Sequence, residues 1–353
     1  MDIKKYIKDF QNAATLQDYE EEQIKQMSEY ALRLLKSNLP VIFDQEHFSL
    51  LVGYDYQYIL ALSNSVEYHY KHFEIPKKNG GNRSIDEPYP SLKEIQTWIL
   101  RNILTPASKT FVSPVAKAFM PGKSLLDNAR FHKKKKRVIA HDIHDFFGSI
   151  HYGAVFGVFK KMGYSTSVST LLTKLCMYQG SLPQGAPTSP MLSNLVFKPI
   201  DDALYAYCRD RKIRYTRYAD DMVFSSDDMI SHHLIAYVTM RVNLFRMEIN
   251  EQKTKVMGRG TRQNVTGVVV NEKLQVSRSY RKRVRQEMFY AHKYGIANHL
   301  CRVRDIPDWI KTPVHYAHHL YGRICFILQI NPRDEEFKMY KSWLSEQIKA
   351  MNS

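Results

Sequence analysis

Apolar residues at helical spacing predict a helical start to the chain. The runs from Ile3 to Phe10 and from Ile24 to Leu35 each place their apolar residues on one face of a helix. We therefore expect residues 1 to about 75 to be mainly helical. Asn-Gly and Gly-Gly pairs follow, and because such pairs are typical of tight turns, they predict a β-hairpin over residues 76–90.

Shorter apolar runs predict strands in the middle of the chain. Residues 138–143 are typical of a buried strand that carries a carboxylate near its end. Two β-favouring runs flank the adjacent pair Asp220 and Asp221, which predicts a hairpin with both acids at its turn. A further hairpin is expected over residues 265–277, with Asn271 near its turn.

Helical patterns fill the remaining regions. Ser189 and Pro190 suit the N-cap and the first position of a helix, which Pro199 is expected to kink or split. From residue 277 onward the pattern is helical and basic. Helices combined with hairpins predict an α+β fold.

Composition narrows the class of partner. Hydrophobic residues make up 44% of the 353 residues, which argues against disorder, and the net charge of +16 indicates a polyanionic partner, nucleic acid or an anionic membrane. No apolar run approaches the roughly 20 residues that span a bilayer, and the N-terminus lacks a secretory signal, so we expect no membrane partner. Four widely spaced cysteines match neither a zinc pair nor a disulfide framework, which favours reduced, buried thiols in the cytoplasm.

The adjacent pair Asp220 and Asp221 is the strongest candidate for chemistry. Two carboxylates at one turn repel each other unless a cation lies between them, and Mg²⁺ binds carboxylate and phosphate oxygens together. The alternative is a solvated turn, because Asp is common in turns. A neighbouring strand ending at Asp142 can supply a third carboxylate in the same sheet. The three acids indicate metal-assisted phosphoryl transfer, which with two ions requires several converging carboxylates.

Several motifs resemble those of known families. Three of them occur in the order found in reverse transcriptases, and they are Asp142-Ile143-His144-Asp145-Phe146-Phe147, Leu182-Pro183-Gln184-Gly185 with Ser189-Pro190, and Tyr218-Ala219-Asp220-Asp221. Two more resemble elements of bacterial retron reverse transcriptases in particular, and they are Asn128-Ala129-x-x-His132 and Val265-Thr266-Gly267. The resemblance covers about residues 40–330. It departs at His144 and Gly148, where the family often has Lys and Pro, and neither departure removes a candidate carboxylate.

The resemblance implies a right-hand polymerase that acts as an RNA-directed DNA polymerase, a nucleotidyltransferase. We expect N-terminal helices and fingers over residues 1–137, a palm with part of the fingers over residues 138–275, and a basic helical thumb over residues 276–353. Two Mg²⁺ ions and dNTPs are the expected cofactor and substrates.

The resemblance also assigns roles in catalysis and nucleotide binding. Asp142 and Asp220 are the expected main metal ligands, with Asp221 as the paired catalytic acid. The ring of Phe147 is expected to exclude a 2′-hydroxyl and so to favour dNTPs. Gln184 and Gly185 are expected to line the nucleotide and template pocket. Lys77, Lys78 and Arg83 are expected to bind the triphosphate. Lys253 is expected to position or protonate the departing pyrophosphate.

RNA contacts are expected in two regions. A row of cations on one face of the first thumb helix is expected to follow a nucleic-acid backbone, and it comprises Arg278, Arg281, Lys282 and Arg285. Thr266 and Gly267 could approach RNA closely through their backbone. Asn128 and His132 are either RNA-facing or buried hydrogen-bonding residues that shape the palm.

The retron resemblance implies a biological setting as well. The expected partner is a cognate non-coding RNA (msr-msd), which serves as the template. DNA synthesis is expected to begin at the 2′-hydroxyl of a guanosine in that RNA, so that the cDNA remains joined to the RNA as branched msDNA. Host RNase H would remove template RNA, and an effector or toxin protein would link the enzyme to antiphage defence. The alternatives are a group II intron-like or other bacterial reverse transcriptase, for whose further domains the chain has little room, and a non-catalytic scaffold that binds RNA or a toxin.

Overall fold

The structure, a computed structural model, describes residues 2–77, 80–303 and 309–352. Within these ranges, the α-helices are α1 (Ile3–Leu16), α2 (Glu21–Lys36), α3 (Gln45–Val52), α4 (Tyr56–Asn64), α5 (Pro90–Ile99), α6 (Thr105–Phe111), α7 (Leu125–Ala129), α8 (Tyr152–Met162), α9 (Thr166–Cys176), α10 (Ser189–Asp210), α11 (His232–Asn243), α12 (Arg278–Tyr294), α13 (Ile296–Leu300), α14 (Pro313–Ile330) and α15 (Glu335–Asn352). The strands are β1 (Tyr70–Pro76), β2 (Asn82–Pro88), β3 (Arg137–Ile143), β4 (Arg214–Tyr218), β5 (Asp221–Ser226), β6 (Ile249–Gly258), β7 (Asn264–Val265) and β8 (Val268–Val269).

The N-terminal region is helical, as its apolar spacing predicts. Helices α1 to α4 follow one another, and the side chains of Asp44 and Asp55 cap α3 and α4 by accepting hydrogen bonds from backbone N–H groups of their first turns. The predicted hairpin is also confirmed, because β1 and β2 pair antiparallel from Tyr70 opposite Pro88 to Pro76 opposite Asn82. No described helix is long and apolar enough to cross a membrane.

A four-stranded sheet carries the candidate catalytic acids. Its strand order is β4-β5-β3-β6, and β4 joins β5 through the two-residue turn Ala219–Asp220. The predicted hairpin is therefore confirmed, but the prediction that both acids lie at its turn is wrong, because Asp221 is already the first residue of β5. The backbone N–H of Ile143 donates to the carbonyl of Asp220 at 3.1 Å. This bond places the end of β3, and with it Asp142, beside the turn.

Helix α10 differs in detail from its prediction. Thr188 is the N-cap, so Ser189 is the first helical residue and Pro190 the second, each one position further into the helix than predicted. Pro199 does not split the helix, which continues to Asp210. Apolar residues on its buried face retain the helix although proline removes one backbone donor.

The predicted hairpin turn near Asn271 is confirmed, but the sequence did not predict an additional turn before it. Strands β7 and β8 join at Thr266–Gly267, whose φ angles of 48° and 87° both lie in the left-handed region that the common two-residue hairpin turn requires. A second turn follows, closed by a bridge between Val269 and Gln275. Asn271 lies in that second turn, and its side chain donates to the carbonyl of Thr261.

The chain forms two compact units, and the chain passes between them within β3, β5 and β6 and just before α7 and α11. The first comprises Met1–Lys123, His141–Met222 and Ser231–Thr254, and the second comprises Ser124–Ala140, Val223–Ile230 and Lys255–Ser353. In the second unit, α12, α14 and α15 enclose a core that includes Met288, Leu320 and Phe337. The boundaries of fingers, palm and thumb stay a prediction.

The four cysteines are free thiols, as expected from their spacing. Cys176 and Cys208 are buried, and burial raises the pKa of each thiol to about 12. The expectation that all four are buried is wrong, because Cys301 is exposed and Cys325 is half-buried.

Candidate active site

The structure brings Asp142 and Asp220 together at one end of the sheet. Burial raises the pKa of Asp220, and the negative charge of Asp142 raises it further. The cations Lys253 and Arg83 act in the opposite direction but do not cancel the rise. Asp220 therefore lies in an environment that penalises its own charge and would be relieved by a bound cation.

Lys253 contacts one of the acids directly. Its ammonium nitrogen lies 2.5 Å from Oδ1 and 3.1 Å from Oδ2 of Asp142, and this hydrogen bond is the main reason why the pKa of Lys253 is raised. The Asp142 side chain is only 8% exposed, whereas that of Lys253 is 62% exposed. The lysine can therefore leave the carboxylate toward solvent or substrate while Asp142 stays in place.

The donor set fits a metal that is shared with a substrate. Within the described residues no three His, Cys, Asp or Glu side chains form a ready-made metal cage. Asp142 and Asp220 converge, and half-buried Asp221 follows as the first residue of β5. Mg²⁺ commonly uses one or two carboxylates and completes its coordination with substrate phosphates and water. The three acids suit that arrangement.

The predicted nucleotide-pocket residues lie on two loops. Phe147 follows β3 and is half-buried, with its ring centroid 5.5 Å from that of Phe146 and 6.3 Å from that of Phe119. The sequence did not point to Phe119, which precedes Phe147 by 28 residues. Phe119 is exposed and has a left-handed φ of 60°, so it is a second candidate to shape the sugar pocket.

The loop of Gln184 and Gly185 lies against the β1–β2 hairpin. The carbonyl of Gln184 accepts a hydrogen bond of 3.0 Å from the N–H of Asp86 in β2. Gly185 has a φ of 146°, and a Cβ there would lie 2.6 Å from the carbonyl oxygen of Asp86. Glycine is therefore required for this close approach.

The three cations that are predicted to bind the triphosphate lie in the β1–β2 hairpin or in the turn that joins its strands. Arg83 lies in β2, is exposed and lowers the pKa of Asp220, so its charge reaches the acids. Lys77 is exposed at the end of β1, and its N–H bonds to the carbonyl of Gly81. Lys78 lies outside the described residues.

The two retron-like elements meet in the second unit. Asn128 donates to the hydroxyl of Thr266 at 3.4 Å, and His132 Nδ1 lies 2.7 Å from the hydroxyl of Ser225. Asn128 and His132 are fully buried, which favours the alternative that they shape the protein and influence RNA only indirectly. Half-buried Thr266 and exposed Gly267 form the tip of the β7–β8 hairpin.

The cationic row on α12 divides into two groups. Arg281 contacts Asp334 and Glu336, and Arg285 contacts Glu336, so these two arginines attach α12 to the start of α15. The hydrogen bond from Arg285 is the main reason why the pKa of Glu336 falls to about 2. Arg278 and Lys282 are exposed on the same helix and form no ion pair with the described residues. The prediction missed the acids because they come some fifty residues later.

The sequence also did not predict a buried ion pair beside the β4–β5 turn. Arg217 in β4 and Asp201 in α10 are both 0% exposed and lie 2.7 Å apart between Nη2 and Oδ2. Arginine and aspartate are rarely buried unless they are paired. The available sequence signals were an aspartate on the apolar face of α10 and an arginine in an otherwise buried strand.

The fold and the converging acids define the class of protein. They match a metal-dependent nucleotidyltransferase, and the sequence model described as reverse transcriptase (RNA-dependent DNA polymerase) matches residues 75–281. Retron Ec86 reverse transcriptase of Escherichia coli is 34% identical over 267 residues, which cover 73% of this chain and 81% of that protein. The chain therefore belongs to the bacterial retron reverse transcriptases and is an RNA-directed DNA polymerase. The predicted α+β right-hand polymerase fold is confirmed.

Two further similarities were found. Retron Mx65 reverse transcriptase of Myxococcus xanthus is 33% identical over 287 residues, which cover 76% of this chain and 63% of that protein. Among solved structures, telomerase from Candida albicans in complex with a fragment of telomeric RNA has a TM-score of 0.47 and 10% identity, covering 78% of this chain and 55% of that chain.

Proposed function

We propose that this enzyme copies a cognate non-coding RNA (msr-msd) into DNA with two Mg²⁺ ions, starting from the 2′-hydroxyl of a guanosine in that RNA. The observation that carries the proposal is the convergence of Asp142 and Asp220 at a turn where burial raises the pKa of Asp220. The product is a cDNA joined to RNA as branched msDNA. The retron relatives support the choice of RNA partner.

The side chains of the site divide the work of nucleotide addition. Asp142, Asp220 and Asp221 would hold the ions, which when bound lower the pKa of the attacking hydroxyl and neutralise charge on the triphosphate. Lys77, Lys78 and Arg83 would bind the triphosphate from the fingers, with Arg83 suited to a bidentate contact. Lys253 would move from Asp142 to the departing pyrophosphate and hold or protonate it.

Selection of the nucleotide rests on the two loops beside the acids. Phe147, supported by the rings of Phe146 and Phe119, would exclude a 2′-hydroxyl and so favour dNTPs. The loop of Gln184 and Gly185 would line the nucleotide and template pocket. Its tight contact with β2 keeps the loop close to the fingers cations.

RNA would bind the second unit through exposed cations. Arg278 and Lys282 are the members of the α12 row that are open to a phosphate backbone, and the tip at Thr266 and Gly267 offers backbone groups. For each phosphate that a cation neutralises, the logarithm of the RNA affinity should fall by roughly 0.7–0.9 for every tenfold rise in salt concentration. Arg281 and Arg285 would act mainly by holding α12.

The proposed biological role is that of a retron. Host RNase H would remove copied template, and an effector or toxin protein would connect the msDNA complex to antiphage defence in the cytoplasm. Sequencing the nucleic acid that copurifies with the protein tests this setting. A discrete RNA joined to a short cDNA is expected, whereas heterogeneous RNA without DNA would favour the non-catalytic scaffold.

The catalytic assignment has its own experiment. The double variant Asp220→Asn/Asp221→Asn should abolish cDNA while leaving RNA binding intact, because amides bind divalent cations far less well than carboxylates. Asp227→Asn/Asp228→Asn is the matched control, since it alters an adjacent acid pair beyond the other end of β5. Robust cDNA synthesis by Asp220→Asn/Asp221→Asn would refute the catalytic role of these two acids.

A further inference from the structure

The catalytic turn adopts a conformation that its sequence does not favour. Ala219 has a φ of 57°, in the left-handed region that residues with a Cβ rarely occupy. The residue precedes Asp220 directly, so its backbone angles set the direction in which the Asp220 carboxylate leaves the turn. A conformation of this kind persists only where the surroundings hold it.

Arg217 holds the turn from the buried side. Its Nη1 donates a hydrogen bond of 3.0 Å to the carbonyl oxygen of Ala219. The guanidinium carbon lies 4.4 Å from the centroid of the Phe197 ring, so the cation is enclosed by apolar surface rather than water. The contact is therefore shielded from solvent, which strengthens a charge-assisted hydrogen bond.

Asp201 and Tyr215 orient the guanidinium. Arg217 Nε lies 3.0 Å from Oδ1 of Asp201, and Nη2 lies 2.7 Å from Oδ2, which is the planar two-point contact that arginine favours. The hydroxyl of Tyr215 donates to the same Oδ1 at 2.7 Å. This geometry commits Nε and Nη2 to Asp201 and leaves Nη1 directed at Ala219.

The main chain of Arg217 is fixed as well. Its N–H donates to the carbonyl of Val115 at 3.0 Å, and its carbonyl accepts from the N–H of Lys117 at 2.8 Å. Both the backbone and the side chain of this residue are therefore immobilised on one side of the turn.

A buried ion pair is costly, and an apolar pair of similar volume would often serve stability as well. Its presence directly behind Asp220 thus calls for a reason other than stability. We propose that Arg217, oriented by Asp201, is a positioning residue that holds the left-handed Ala219 turn and thereby aims the Asp220 carboxylate at the metal. The inference rests on the proposed catalytic role of Asp220.

The variant Arg217→Lys separates the positive charge of the side chain from the geometry of its hydrogen bonds. Arg217→Lys keeps a cation beside Asp201, but one nitrogen cannot span both Asp201 and the carbonyl of Ala219. We expect folding by circular dichroism and RNA affinity to be retained. Turnover should fall about 10²-fold, the size expected when a reacting group is misplaced by about 1 Å, with little change in the KM for dNTP. Mn²⁺ binding to the enzyme with RNA, measured by electron paramagnetic resonance, should weaken in parallel.

Glycine at position 219 provides a rescue that a purely structural role would not show. Because glycine adopts the left-handed conformation readily, Ala219→Gly should restore much of the turnover and Mn²⁺ affinity of Arg217→Lys. The matched control is Lys198→Met, which breaks the exposed ion pair with Asp202 on the same helix as Asp201 and should leave both quantities unchanged.

The outcomes separate this inference from the proposed function. Synthesis by Asp220→Asn/Asp221→Asn would refute the catalytic assignment itself. If that variant is inactive while folded Arg217→Lys has normal turnover and Mn²⁺ affinity, or suffers a loss that Ala219→Gly leaves unchanged, the positioning role is wrong. Should Arg217→Lys fail to fold, Tyr215→Phe decides instead, because it removes only one bond to Asp201. A smaller loss of turnover and Mn²⁺ affinity supports the role, and normal values overturn it.

Discussion

Two Asp-Asp pairs lie at the two ends of strand β5, and they differ in exposure, in charged partners and in the direction of the pKa shift of the first acid in each pair. Asp220 and Asp221 stand at its start, where burial and Asp142 raise the pKa of Asp220. Asp227 and Asp228 follow its end, where the hydrogen bond from Lys135 is the main reason why the pKa of Asp227 is lowered. The Asp227 side chain is 50% exposed.

The difference shows what makes an acid pair available for chemistry. Lys135 and solvent already balance the charge of Asp227, so that pair has little to gain from a metal ion. Asp220 lies near a second carboxylate in a buried site, so a divalent cation would relieve both repulsion and desolvation. The surroundings of an Asp-Asp dipeptide, and not the dipeptide itself, therefore decide whether it is suited to bind a metal ion.

The largest expected effect comes from removing one acid of each pair. Asp220→Asn should lower DNA synthesis by about 10³-fold or more, because the metal loses a main ligand. Asp227→Asn should leave synthesis near the wild-type rate. Primer-extension assays at saturating Mg²⁺ measure both, and equal losses in the two variants would contradict the comparison.

The pocket beside the first pair should select the sugar of the nucleotide. Phe147→Val should relax rejection of ribonucleotides by about 10- to 10²-fold, the range that shape discrimination in an apolar pocket provides. The measurement is the ratio of kcat/KM for dNTP and NTP. Phe156→Val, which alters an aromatic residue in α8, serves as the control, and unchanged selectivity in Phe147→Val would remove the proposed role of the ring.

Helix α12 shows the same contrast with cations in place of acids. Arg281→Ala removes the ion pair between Arg281 and the nearly buried Asp334 carboxylate, so the free energy of unfolding should fall by about 1–3 kcal/mol. Arg278→Ala should leave stability unchanged, weaken RNA binding and reduce the salt slope by about 1. Thermal melts and RNA titrations at several salt concentrations distinguish the two, and a stability loss in Arg278→Ala would show that the division is wrong.

The smallest effect is a difference of sign in the pH dependence of stability without metal. Asp220 has a raised pKa when folded, so its protonated form favours the folded state and its charged form opposes folding. The stability that the protonated form contributes is lost as pH rises through the folded pKa. Asp227 has a lowered pKa, so its contribution is present above the unfolded pKa and is lost as pH falls through the folded one.

At neutral pH in chelator, Asp220→Asn should therefore raise the melting temperature, whereas Asp227→Asn should lower it slightly. Melts from pH 3 to pH 7 test both directions. A drop in the melting temperature of Asp220→Asn at neutral pH would mean that its charge is already compensated.

Local patterns were enough for the elements that carry the acids. The alternation around Asp220 and Asp221 predicts the β4–β5 hairpin, and the apolar run before Asp142 predicts β3, because strand and turn preferences act between neighbouring residues. The two-residue turn at Thr266 and Gly267 was within reach of the same reasoning, since Gly267 supplies a left-handed position.

Contacts between distant segments were out of reach for such reasoning. Asn128 meets Thr266 across 138 residues, and Arg281 meets Asp334 across 53 residues. No periodicity relates such partners, because their proximity arises only when separate elements pack. Burial of Asn128 and His132, which favours a structural role for them, became visible in the same way.

The sequence by itself determined the chemistry that is possible here: the acids, the glycine at 185, and motifs in the order of a reverse transcriptase. The tertiary structure alone decided that Asp220 is desolvated, that Arg285 already has an acidic partner, and that Arg217 donates a hydrogen bond to the carbonyl of Ala219. The physical reason is that residue types and local spacing act along the chain, whereas desolvation and charge pairing depend on distances between atoms that folding brings together.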